Sequence, residues 1–155
     1  MKIGSRQHLR KIRERTKPAY PGDLLKNHLR LVTKPITVYK KVYVRCPERY
    51  SQRCSIVKLV IPVGARIVHH QGQREFDRWK MRTDLARVVS INDKSAKKGY
   101  AAREIRLPYQ MGFTRLEYVP GNTVHPHLDF DTSRTVCASG IHFFLTEKEA
   151  RRWKL

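Results

Sequence analysis

The chain has 155 residues, 33 Lys/Arg against 13 Asp/Glu, and a formal net charge of +20. That length fits one domain plus an arm, and a hydrophobic fraction of 40% excludes disorder throughout. No apolar run reaches the roughly 18–20 residues that would cross a bilayer, and Met1-Lys2-Ile3-Gly4 opens into basic polar sequence without the apolar stretch of a secretory signal.

Residues 1–17 read as a basic arm, in which Ser5 would cap a short helix carrying only Leu9 and Ile12 on one face. Two apolar residues do not hold so short a helix alone, so the arm is expected to order against a partner. Pro18 to Gly22 breaks the chain. Asp23 then caps an expected first helix, DLLKNHLRLV, with Leu24, Leu25, His28, Leu29 and Val32 on one stripe. Thr33-Lys34-Pro35 ends it, because the residue before proline avoids helical angles.

From Ile36 the pattern changes to strands rich in β-branched and aromatic residues, at 36–44, 55–61 and within 82–91, with a short one at 66–69. Pro62 to Ala65 and Pro120 to Asn122 are turns. Residues 101–107 fit helix or strand, 113–119 alternate as a strand, and His125 to Arg134 is a polar loop. Gly140 to Leu145, GIHFFL, is a short buried strand. Thr146 caps a closing helix, with Glu149 at capping-box spacing. The expected class is therefore α+β: a mainly antiparallel sheet with a first helix, a C-terminal helix and a basic N-terminal arm. Residues 1–35 form the arm and first helix, and residues 36–155 the α+β domain.

The charge is uneven. Residues 1–53 hold 15 Lys/Arg against 3 Asp/Glu, residues 54–107 hold 12 against 5, and residues 108–155 hold 6 against 5. A positive field on the first two thirds points to an anionic partner, whether nucleic acid or an acidic protein face. The arm residues Lys2, Arg6, Arg10, Lys11, Arg13, Arg15 and Lys17 are the first candidates for that contact. Lys40, Lys41 and Arg45, interleaved with Tyr39 and Tyr43 on a strand, are the second. Arg78-Trp79-Lys80 offers similar chemistry in a loop.

Other constellations carry less. His125, His127, Asp129 and Asp131 alternate along one segment with donor atoms that suit a transition metal, but proline and glycine around them equally give a solvated loop, and no metal is assigned. Cys137 and His142 fit a thiolate–imidazole pair or a small buried thiol beside a strand histidine. Cys46 and Cys54 are too far apart for a zinc finger, and three irregularly spaced cysteines suit reduced thiols. No phosphate-cradling glycine pattern is present, so no cofactor is expected.

The stretch Leu116 to Trp153 resembles a C-terminal domain of pentapeptide-repeat-like proteins of large double-stranded DNA viruses. The resemblance rests on Tyr118, Gly121, Val124, Pro126, Phe130, Asp131, Cys137, the Gly140-Ile141-His142-Phe143-Phe144 run, Thr146, Glu149 and Ala150. Val57 to Ala65 and Lys80 to Val88 extend it upstream. The repeats are absent here, and residues 1–35 stand in their place. The resemblance implies a viral setting and no activity: a non-enzymatic minor capsid or other virion component docking on acidic protein surfaces, in the virion and, during assembly, the host cytoplasm or nucleus. An alternative is a nucleic-acid-binding protein neutralising viral DNA. The GIHFF strand is also similar to a strand of ADP-ribosyltransferases, which implies an enzyme using His69 or His70, though no suitable glutamate follows.

Overall fold

The computed structural model describes residues 23–26, 28–45, 52–69, 80–92, 102–103, 116–126, 128–134 and 138–153. Two antiparallel sheets make up the body. The first joins β1 (Asp23–Lys26), β2 (Leu29–Leu31), β5 (Arg66–His69), β6 (Met81–Thr83) and β11 (Ile141–Phe143), in the order β1-β2-β5-β6-β11. The second joins β3 (Ile36–Arg45), β4 (Gln52–Ile61), β7 (Ala86–Asn92), β8 (Ala102–Arg103), β9 (Glu117–Tyr118) and β10 (Thr123–Val124), in the order β10-β7-β4-β3-β8-β9. The chain crosses between sheets at β2–β3, β4–β5, β6–β7 and β10–β11, so neither sheet forms from one continuous stretch. Just past β11, the edge strand of the first sheet, Phe144 bridges to β3 of the second, exchanging hydrogen bonds of 2.8 Å with Tyr39 in both directions.

Alternation of side chains across each strand explains the layering. On β3, Val38 and Val42 face inward; on β4, Val57, Leu59 and Ile61 do the same. Ile67, Met81, Ile141 and Phe143 meet them from the first sheet in one core cluster. Between Lys58 and Leu59 the register with β7 slips by a bulge. It lets Val88 and Ile91, an odd number of residues apart, both face the core side.

The expected α+β class is corrected: among the described residues, strands dominate and α1 (Glu147–Arg152) is a single short helix. The expected first helix is a pair of strands. β1 and β2 pair from Asp23↔Leu31 to Lys26↔Leu29, and β2 pairs with β5 from Leu29↔Val68 to Leu31↔Arg66. The 23–32 segment fits both periods, and long-range ladder bonds to β5 override local helical preference. Leu24 and Leu25, read as part of one helical stripe, are 57% and 53% exposed. The arm lies outside the described residues. The strand expected from LARVVSI within 82–91 is β7, and a separate short strand, β6, precedes it across Asp84-Leu85, where the chain changes sheet.

The closing helix is as expected. Thr146 accepts from the Glu149 amide, and Glu149 Oε2 accepts from the Thr146 amide, completing the capping box. The helix lies on the outside of the second sheet. There Phe144, Ala150 and Trp153 pack with Ile56 and Tyr39 in a second, smaller apolar cluster.

Candidate partner-binding surface

The outer faces of the two sheets treat positive charge in opposite ways. On the first sheet, Val68, Arg82 and His142 sit side by side across β5, β6 and β11, pointing away from the core. They are nevertheless buried, because residues 128–134, with Ser139, cross over them as a strap. Arg82, fully buried between Met81 and Thr83, holds it. Its Nη1 donates to the carbonyls of Asp131 (2.6 Å) and Ser139 (2.7 Å), and its Nη2 to that of Ser133 (2.7 Å). The planar guanidinium fork suits several acceptors at once.

Phe130 completes the strap, with Arg66 and Arg82 placed 5.2 and 5.8 Å from its ring centroid. Gly140 explains why the ring fits. Its φ is +150°, and a Cβ there would lie 3.0 Å from the Phe130 ring and 3.1 Å from Arg82 Cβ. His28 Nε2 lies 2.6 Å from the Thr132 carbonyl and ties the strap to the start of β2. Asp131 folds back within the strap, its Oδ1 accepting from the Ser133 amide at 2.7 Å. The Ser133 side chain and amide, opposed in part by burial and helped by the Arg82 charge, hold its carboxyl below its usual range.

Asp129 and His125 are exposed on either side of Leu128, and His127 lies outside the described residues. Among the described residues no three His, Cys, Asp or Glu gather as metal ligands. Cys54 is exposed, while Cys46 and Cys137 fall outside the description, so the suggested Cys137–His142 pair has no geometry here. His69 ends β5 half-buried; His70 is outside the description.

The sequence-selected cations divide similarly. The seven arm residues lie outside the described residues, as does the side chain of Arg45. Lys40 points inward, is 5% exposed, and donates to the His142 carbonyl at 2.9 Å. Lys41 lies under the helix and donates to the carbonyls of Arg151 (3.2 Å) and Trp153 (2.8 Å), where a cation also complements the helix dipole. Tyr39 packs beneath the helix with Trp153. Lys80, from the Arg78-Trp79-Lys80 stretch, is buried with its ammonium 4.2 Å from the Trp153 ring centroid. The described members of these stretches, Tyr39, Lys40, Lys41 and Lys80, therefore contact the protein itself.

Cations that reach solvent come from elsewhere. Lys58 and Arg87 stand exposed on the outer face of the second sheet, and Lys148, Arg151 and Arg152 on the helix beside it. Arg151 pairs with Glu147 at 2.7 Å. The sequence already held the signal for Lys58, the one charge in the apolar run SIVKLVI and hence on the strand's wet side. Arg82 lacked such a signal, because its acceptors come from a loop about fifty positions away in the chain.

A family model described as a family of unknown function, DUF5758, matches residues 27–150. The chain is also similar to "Uncharacterized protein L223" of Acanthamoeba polyphaga mimivirus, 35% identical over 138 residues that take in 76% of this chain and 83% of that protein. No solved structure matches. The family match includes β2, the strap and the capping box of the helix.

Proposed function

The chain belongs to the DUF5758 family, a family of unknown function, and from that premise we propose that it is a non-enzymatic basic binding protein of a large DNA virus, a minor capsid or other virion component that docks on acidic protein surfaces. The observation that carries the proposal is the distribution of charge. The surplus is 12 over residues 1–53 and 1 over residues 108–155, so a nearly neutral folded end is joined to a strongly basic start. A similar protein in mimivirus supports the setting. Kinship with the C-terminal domains of pentapeptide-repeat-like viral proteins is part of the same proposal. In it, Phe130 and Gly140 build the strap contact and Thr146 and Glu149 the helix cap.

The arm residues Lys2, Arg6, Arg10, Lys11, Arg13, Arg15 and Lys17 act by summed charge, since each exposed pair contributes at most about 1 kcal/mol. Serine at all seven is expected to weaken incorporation into particles while leaving the thermal melt unchanged. Equal incorporation would refute the role of the arm. Crosslinking mass spectrometry on purified particles, before and after nuclease, tests the setting. Crosslinks to coat proteins that survive nuclease support docking on protein. Crosslinks lost with the nucleic acid point to the DNA-neutralising alternative.

A further inference from the structure

We propose that the uncovered outer face of the six-stranded sheet, beside the C-terminal helix, is a docking surface for an acidic protein segment, with Lys58 and Arg87 as its charged contacts and Val60 and Val89 as its apolar centre. The inference rests on the binding reading above and adds the place and chemistry of the contact.

The face is built by register. Val60 stands opposite Arg87 on one side and Thr37 on the other, while Lys58 stands opposite Ser90. Residues paired across antiparallel strands present their side chains to the same face. Thr37, Lys58, Arg87 and Ser90 are all exposed. The bulge adds Val89, an extra β7 residue left 44% exposed, next to half-buried Val60. The helix covers the neighbouring part of the same face and stops short of these positions, as their exposure shows. Among the described residues, the helix carboxylates are engaged elsewhere: Glu147 accepts from Arg151 and Asn92, and Glu149 completes the helix cap.

The composition selects the partner. A small apolar centre with a polar, charged rim matches the anatomy of protein interfaces. Phosphate contacts need cations and hydroxyls but no exposed valines. Single-stranded nucleic acid would require aromatic rings to stack on, and among the described side chains Tyr39 and Trp153 are packed against the apolar cluster beside the helix. Positive charge around the valines sets the partner's own charge as negative.

The test is an NMR titration of the full, isotopically labelled chain with two probes: a peptide of alternating Glu and Leu, and a duplex DNA of random sequence. We expect the peptide to shift the amides of Lys58, Val60, Arg87 and Val89. The double variant Lys58→Glu/Arg87→Glu should weaken that binding at least tenfold, and Val89→Ser should weaken it severalfold with the melt unchanged. Peptide binding that shifts only arm amides would overturn the assigned face and leave the general reading intact. DNA shifting this face while the peptide does not would overturn the protein partner. Absence of peptide binding anywhere on the chain would remove both the face and the reading it rests on.

Discussion

The two sheets share one core but differ on their outer sides. The outer face of the first sheet holds Arg82 out of water beneath a strap, whereas the second leaves Lys58 and Arg87 in solvent. Burial of an unpaired cation is costly, and the strap's carbonyls offset that cost for Arg82 by giving it three acceptors. No such acceptors surround Lys58 or Arg87 in the described structure, and water solvates them instead. A net charge of +20 therefore describes two populations. Among the described residues one set, Lys40, Lys41, Lys80 and Arg82, contacts the protein itself, and the other, including Lys58 and Arg87, stands in solvent.

The largest effect comes from the core that both sides depend on. Phe143 is 0% exposed, and Phe143→Asp both empties its site and buries a carboxylate. Losing a large core side chain alone costs about 3–5 kcal/mol, and domains of this size are stable by only about 5–15 kcal/mol. The variant is expected to lose its cooperative thermal transition by circular dichroism. An unchanged melt would contradict the shared core.

Removing Arg82 should convert the covered face into an open one. Arg82→Met keeps the bulk of the stem but leaves three carbonyls without their donor, at an expected loss of about 2–4 kcal/mol in urea unfolding. Hydrogen exchange should quicken at amides of residues 128–134 while β3 and β4 stay protected. On the bare face, Arg87→Met should stay within about 0.5 kcal/mol of the parent. Equal losses at the two positions would erase the distinction between them.

Much of this was legible from sequence where signals are local. The turns at Gly64 and Gly121, the strands read at 36–44 and 55–61, the GIHFF strand and the Thr146 cap all declare themselves through residues within a few positions of one another, although β4 starts earlier than its apolar run, at Gln52. The first element did not. Leu24, Leu25, Leu29 and Val32 fit a helical stripe, and only pairing with β5, dozens of residues away, decides for strands. The role of the basic residues was legible least of all. Lys40 and Lys41 are adjacent and look equivalent, yet the pleat sends one to the core and the other beneath the helix. The strap showed only as a polar loop, because its acceptors are backbone carbonyls that no side-chain pattern reveals.

Gly140 tests how closely the strap must seat. Gly140→Ala places a methyl 3.0 Å from the Phe130 ring at a φ that side chains disfavour. The combined strain should amount to about 1–3 kcal/mol. Because the crowding is with Phe130, Gly140→Ala combined with Phe130→Leu should recover part of the loss, which a purely backbone effect would not do.

The smallest expected effect is set by acid, and it separates the two faces without mutation. The Asp131 carboxyl titrates below its usual range, chiefly because the Ser133 side chain and amide hydrogen-bond to the ionised form. A carboxyl with a depressed folded-state pKa adds stability that is fully present above its unfolded value, about 3.9, and is lost as pH falls through the lower folded value. Asp131 is only half-buried, so the contribution is small and salt-sensitive. Acidification below pH about 4 should therefore speed hydrogen exchange at Ser133 before it affects β7 at Arg87, five residues from the Asn92–Glu147 contact that ends the strand. Asp131→Asn should remove the acid-dependent step at Ser133 while leaving the exchange rates around Arg87 unchanged, and if both segments opened together the strap would have no independent hold on the sheet.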